Sequence, residues 1–252
     1  MKKPYTIQID LKWPKALLIL VFTVTFFSCD SLYEVLEAVD KTTSTSITEK
    51  EAISGLKQAL EKGVQNSTGL LGKSNGFLNS FQYKIPFPSD AQKVEKTLRN
   101  LGEGALVDNM ITAINQGAEN AVRQSGPIFK KAIQDMTITD AINIVKGGNG
   151  AATNYLKQNT SKDLVQKFSP EIQGALDQAQ ATKYWTDVFT IYNKLPTTQQ
   201  KINPNLNAFV TQKAISAIFD VVQKEENKIR ANPTERSSEI LKKVFAYADA
   251  NK

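Results

Sequence analysis

The chain has 252 residues, 41% apolar and 22% charged, the balance of a globular protein long enough to bury a core without disulfides. It contains no histidine and one cysteine, which excludes a Ser-His-Asp triad, a Cys-His dyad, a His-ligated metal, a thiolate cluster and an intrachain disulfide. Of the formal +6 charge, half sits in residues 1–28, where Lys2, Lys3, Lys12 and Lys15 face Asp10; the remaining 27 basic and 24 acidic residues form no dense cationic stripe for nucleic acid.

The N-terminus is positively charged up to Lys15, and Ala16 to Phe27 (ALLILVFTVTFF) then runs without a charge. Such a run falls short of the roughly 20 residues a membrane-spanning helix needs and fits the apolar centre of a signal peptide. Ser28-Cys29 follows and resembles the lipobox of bacterial lipoproteins, with Phe26 and Phe27 where Leu and a small residue are usual. The expectation is a signal peptide over 1–28, acylation of Cys29, a tether over 29–48, a domain over 49–247 and a short tail over 248–252. The protein would then be held at the bacterial cell envelope by lipid, facing the periplasm, with no transmembrane helix. More than one acyl chain is needed for firm attachment, at about 0.8 kcal/mol per buried methylene.

Thr48 reads as a helix N-cap, with Glu51 completing a capping box, and Ile53, Leu56, Leu60 and Val64 share one helical face. Residues 66–88 are rich in Gly and end at Pro86-Phe87-Pro88, which predicts a loop with an extended piece over Phe81–Ile85. Its apolar side chains, Leu70, Leu71, Phe77, Leu78, Phe81 and Phe87, are expected to fold back over the helices; the other reading is a hydrophobic lip for a lipid or partner.

A helix is expected to start at Ser89, and Ala105–Arg123 shows an apolar face through Val107, Met110, Ile114, Ala118 and Val122. Six short helices follow: Pro127–Asp135, Thr139–Val145, Gly150–Gln158, Ser161–Phe168, Pro170–Ala181 and Tyr184–Asn193. Pro127 and Pro170 suit a first helical turn, and Thr139 and Ser161 suit caps. Asn205–Arg230 is the longest expected helix, and Thr234–Tyr247 the last. The class is all-α, an irregular multi-helix bundle of many short helices around one or two long ones.

The stretch MTITDAINIVKGGNGAATNYLK, Met136 to Lys157, and the run from Ile202 to Tyr247 resemble a bacterial family known as domain-of-unknown-function family 4197. The piece YKIPFP and the helix around Glu119, Asn120 and Ala121 resemble it too, so the likeness covers about residues 49–247. The resemblance implies a secreted or lipid-anchored envelope protein and brings no activity, cofactor or site.

Two groups of residues are candidates for chemistry. The Gly-rich turn from Lys146 to Thr153 would feed free amides to an anion at a helix start, although it is no Walker loop; a tight helix–helix turn is the simpler reading. Asp140, Lys213, Glu226, Arg230 and Arg236, placed together, would hold a polar ligand or move protons; ordinary helix pairs and salt bridges are the simpler reading. Tyr184, Trp185, Phe189 and Tyr192 recur at helical spacing and are expected in the core rather than as a stacking platform. No catalytic residue, metal or cofactor is assigned. The leading expectation is a non-enzymatic envelope module that binds a protein or other envelope partner near the membrane. The alternatives are a carrier of a lipid or other apolar ligand between helices, which needs a cavity of several hundred Å³, and an enzyme built on carboxylates and lysines.

Overall fold

A computed structural model of the chain describes residues 47–194, 201–202 and 205–250, which are helical with turns between and contain no strand. Residues 1–46, with Cys29 and the expected signal peptide, lie outside them. Among the described residues no helix is long and apolar enough to cross a membrane. The all-α reading holds.

The first helix, α1 (Glu49–Leu71), opens with the expected capping box: Thr48 Oγ1 accepts from the Glu51 amide at 3.2 Å, and Glu51 Oε2 accepts from the Thr48 amide at 2.9 Å. It runs six residues into the stretch expected as loop. There the Ser67 and Thr68 hydroxyls both donate to the Val64 carbonyl at 2.9 Å, and Leu71 is buried. Hydroxyls satisfied within the helix no longer draw the backbone into turns.

After a 3-10 turn over Ser89–Ala91 come α2 (Gln92–Asn100), α3 (Gly104–Arg123) and α4 (Gly126–Gln134), the last with Pro127 in its first turn. Helix α5 (Ile138–Lys146) is capped by Thr137 rather than Thr139, because Asp140 completes a capping box with Thr137.

The three short helices expected between 150 and 181 are one, α6 (Ala151–Gln178). Neither internal cap signature acts as a cap. Thr160 and Ser161 donate back to the Leu156 and Lys157 carbonyls at 2.7 and 2.5 Å. Pro170 lies on the exposed side, and Asn207 grips the residue before it, donating to the Ser169 carbonyl at 2.7 Å and accepting from its hydroxyl at 2.8 Å. The buried positions Ala152, Leu156, Thr160, Leu164, Phe168, Ile172 and Leu176 recur every fourth residue across both signatures. That spacing drifts by about 40° per step, so the apolar stripe winds round the helix and faces different neighbours along its length.

Helix α7 (Ala181–Tyr192) buries Trp185 and Phe189, with Trp185 edge-on to Phe87 at 5.4 Å. Tyr184 is exposed. Helix α8 (Leu206–Ala231) is capped by the Asn205 side chain, which accepts from the Ala208 amide at 2.9 Å. The last helix, α9 (Glu239–Ala250), continues past Tyr247 into the expected tail and buries Ala248.

Among the described residues four long helices therefore carry the core, where one or two were expected. Helix α3 packs on α6, α6 on α8 and α8 on α1, with the short helices α4 and α5 against α1 and α6. A second apolar cluster, including Ala59, Val145, Ile229, Leu241, Val244 and Phe245, seats α9 on α1 and α5.

Lys243 of α9 also donates to Glu51 at 2.7 Å, so the α1 cap is tied to the last helix. That hydrogen bond, with those from Thr48, lowers the Glu51 carboxyl to about 2. A carboxyl lowered by folding stabilises the protein above its ordinary value and loses that contribution as pH falls toward its folded value. Thermal melts between pH 4.5 and pH 2 should therefore show a melting temperature that falls less steeply for Glu51→Gln than for the natural chain. Equal slopes would show that this carboxylate adds nothing.

Candidate functional site

The turn from Gly147 to Gly150 hands α5 to α6. Gly150 has φ +82°, and a Cβ there would also meet Gln223 Nε2 at 2.7 Å, so the turn requires glycine. No side chain of the turn caps α6, which leaves its first amides without partners from their own helix. Helix α8 supplies the acceptor. The Ala152 and Thr153 amides donate to the two Glu226 carboxylate oxygens at 3.0 and 2.9 Å, and the Thr153 hydroxyl donates at 2.7 Å. Negative charge at this end also suits the helix dipole.

One turn further along α8, Arg230 Nε donates to Glu226 at 2.9 Å. Its two remaining nitrogens donate to the Gly147 and Ile144 carbonyls at 3.1 and 2.9 Å, closing the end of α5. Arg236 donates to the Ile229 and Arg230 carbonyls at 3.1 and 3.0 Å and to Asp249 at 2.7 Å, tying the end of α8 to α9. Both guanidinium groups lie over the Phe245 ring, 5.5 and 5.6 Å from its centroid. Glu226, Arg230 and Arg236 are all buried.

The structure thus brings together three of the five polar residues singled out in the sequence. Asp140 instead accepts from the Thr137 amide and hydroxyl at 3.0 and 2.6 Å, and the hydroxyl bond leads in holding its carboxyl below the ordinary range. Lys213 is exposed and lies 5.6 Å from the Phe209 ring centroid. The anion cradle read from the Gly-rich turn is filled by the protein's own Glu226 carboxylate. The enclosed space beside it, lined by Leu56, Val222 and Phe245 among others, has a volume of about 10 Å³, roughly the space of one water. A surface groove of about 340 Å³ lies between α1 and α4, lined by Glu61, Val64, Gln65, Thr68, Lys130 and Ile133.

A second constellation was not legible as a site. Helix α3 carries Asn115, Glu119 and Arg123 at four-residue spacing, and each holds main chain of the 72–88 loop. Glu119 is buried and accepts from the Asn75, Phe77 and Leu78 amides at 3.1, 3.1 and 3.4 Å. Asn115 accepts from the Ile85 amide at 2.8 Å and donates to its carbonyl at 2.9 Å. Arg123 donates to the Gly72 carbonyl at 2.6 Å.

From the other side, the Tyr83 hydroxyl donates to Asp220 at 2.8 Å and accepts from Lys224 at 3.0 Å, both on α8. Burial, opposed by the Lys224 bond, pushes the Tyr83 hydroxyl up. Burial would raise the Asp220 carboxyl, but the Lys224 and Tyr83 hydrogen bonds outweigh it and hold the carboxyl low. The loop is clamped between two helices. Leu71, Phe77 and Phe87 fold inward as expected, whereas Leu70 is exposed and Phe81 fully so. The sequence signal for the clamp is a polar stripe on α3 beside the apolar residues Ile114, Ala118 and Val122.

Removing one partner of a buried ion pair leaves the other uncompensated, at about 3–5 kcal/mol. Glu226→Ala should lower the unfolding free energy in urea by that order. The paired change Glu226→Leu with Arg230→Met should cost at least as much, since it leaves the Ala152 and Thr153 amides and the Gly147 and Ile144 carbonyls without their partners. A single-variant loss below about 1 kcal/mol, the size of an exposed pair, would show that the carboxylate does not hold the α5–α6 turn.

No curated protein and no solved structure matches the chain. The family model described as a protein of unknown function, DUF4197, matches residues 46–246, from just before the α1 cap into α9. The chain belongs to this family.

Proposed function

We propose that this protein is a lipid-anchored component of the bacterial cell envelope that works by binding a protein partner, without catalysis, through the loop that carries Phe81. The observation behind this reading is the combination of full exposure at Phe81 with a loop whose main chain is held by Asn115, Glu119 and Arg123. An aromatic side chain gains about 1.5–3 kcal/mol on full burial. A loop already fixed in place loses little further freedom when it docks. Such a residue has the properties of an interface anchor. The anchor half of the reading is supported by the charged N-terminus, the apolar run from Ala16 to Phe27 and the single cysteine, Cys29, after Ser28.

Each half has its own test. In the host bacterium, Cys29→Ser should move the protein out of the membrane fraction, and the natural N-terminal peptide should carry acyl mass. A variant that still sediments with membranes, beside a natural chain without acyl groups, would overturn the anchor. For docking, p-benzoylphenylalanine at position 81 should form a discrete protein adduct in the living envelope. The same probe at the exposed Val165 of α6 serves as the control. No adduct at 81, or the same adduct at 165, would overturn the docking role.

A further inference from the structure

A groove of about 500 Å³ runs along the seam where α3 meets the end of α6. Its walls carry five primary amides, Asn109, Gln116 and Asn120 from α3 and Gln178 and Gln180 from the end of α6 and the residues after it. Thr112 adds a hydroxyl, and no charged side chain lines the groove. The floor is small and apolar, formed by Ala113, Ala175 and Ala179. The two helices approach closely enough for this because of Gly117, where a Cβ would stand 3.2 Å from the Ala175 Cβ and 3.4 Å from the Ile172 Cα.

Gln180, just past the Ala179 C-cap of α6, holds φ +55°, the left-handed turn in which many helices end. Its amide lines the groove while accepting from the Tyr184 hydroxyl at 3.3 Å.

We propose that this groove binds a neutral glycan bearing N-acetylated amino sugars. A primary amide offers two donors and an acceptor, which suits vicinal hydroxyls and the N–H and C=O of an acetamido group; of the five, Asn120 already accepts from Arg123 and Gln180 from Tyr184. The alanine floor suits acetamido methyls and the apolar edges of sugar rings. A charged ligand would find no counter-ion on these walls. The groove does not involve the Phe81 loop, so this proposal stands or falls separately from the docking role.

The test is titration of the full chain in detergent with tetra-N-acetylchitotetraose, followed by calorimetry. Saturable binding is expected, weakened about tenfold by Gln116→Ala and by Gln178→Ala, since each removes the donors and acceptor of one amide from the wall. Both positions are exposed, so the fold should survive, and circular dichroism would verify it. Cellotetraose, which lacks the acetamido groups, should bind about tenfold more weakly. Lack of saturable binding, equal affinity for cellotetraose, unchanged affinity in both variants, or full competition by a neutral Ser/Ala peptide would each overturn the proposal.

Discussion

Glu226 and Arg230 stand one helical turn apart on α8 and face opposite ends of the turn between α5 and α6. A buried ion pair on its own is a poor source of stability, because both groups give up water. Here each charge also meets main-chain dipoles of the sign it needs: amides at the start of α6 for the carboxylate, and carbonyls at the end of α5 for the guanidinium. The α6 course through the core begins at this point. So does the placement of α9, since Arg236 binds the Arg230 carbonyl and shares the Phe245 ring with it.

Local chemistry was legible in the sequence wherever a few neighbouring residues decide the outcome. The Thr48–Glu51 cap, the α3 apolar face and Pro127 in the first turn of α4 were of that kind. The division of α6 into three helices shows the limit. Thr160-Ser161 and Ser169-Pro170 look like helix starts, and only the four-residue apolar spacing that crosses them shows continuity. Glu226, Arg230 and Arg236 could be picked out as a group, but not their partners, which are main-chain atoms up to 86 residues away. Glu119 lay inside a recognised stretch without a role, for the same reason: it binds amides of a loop more than 40 residues earlier. Side chains that satisfy distant main chain leave no local pattern.

Helix α3 serves both surfaces described above. One side of it grips the 72–88 loop through Asn115, Glu119 and Arg123. Gln116 and Asn120, each one residue along from a clamp residue, turn into the groove against α6. The close packing of α3 on α6 at Gly117 fixes these two sides with respect to each other. A helix buried along so much of its length is a firm mount for both.

The α3 clamp recognises amides and carbonyls, which every residue but proline presents alike. Lys73, Ser74, Asn79, Phe81 and Lys84 project from the held loop into solvent. Their identities can therefore change across generations while the path of the loop stays the same. The fold separates the inheritance of a shape from the inheritance of the chemistry displayed on it.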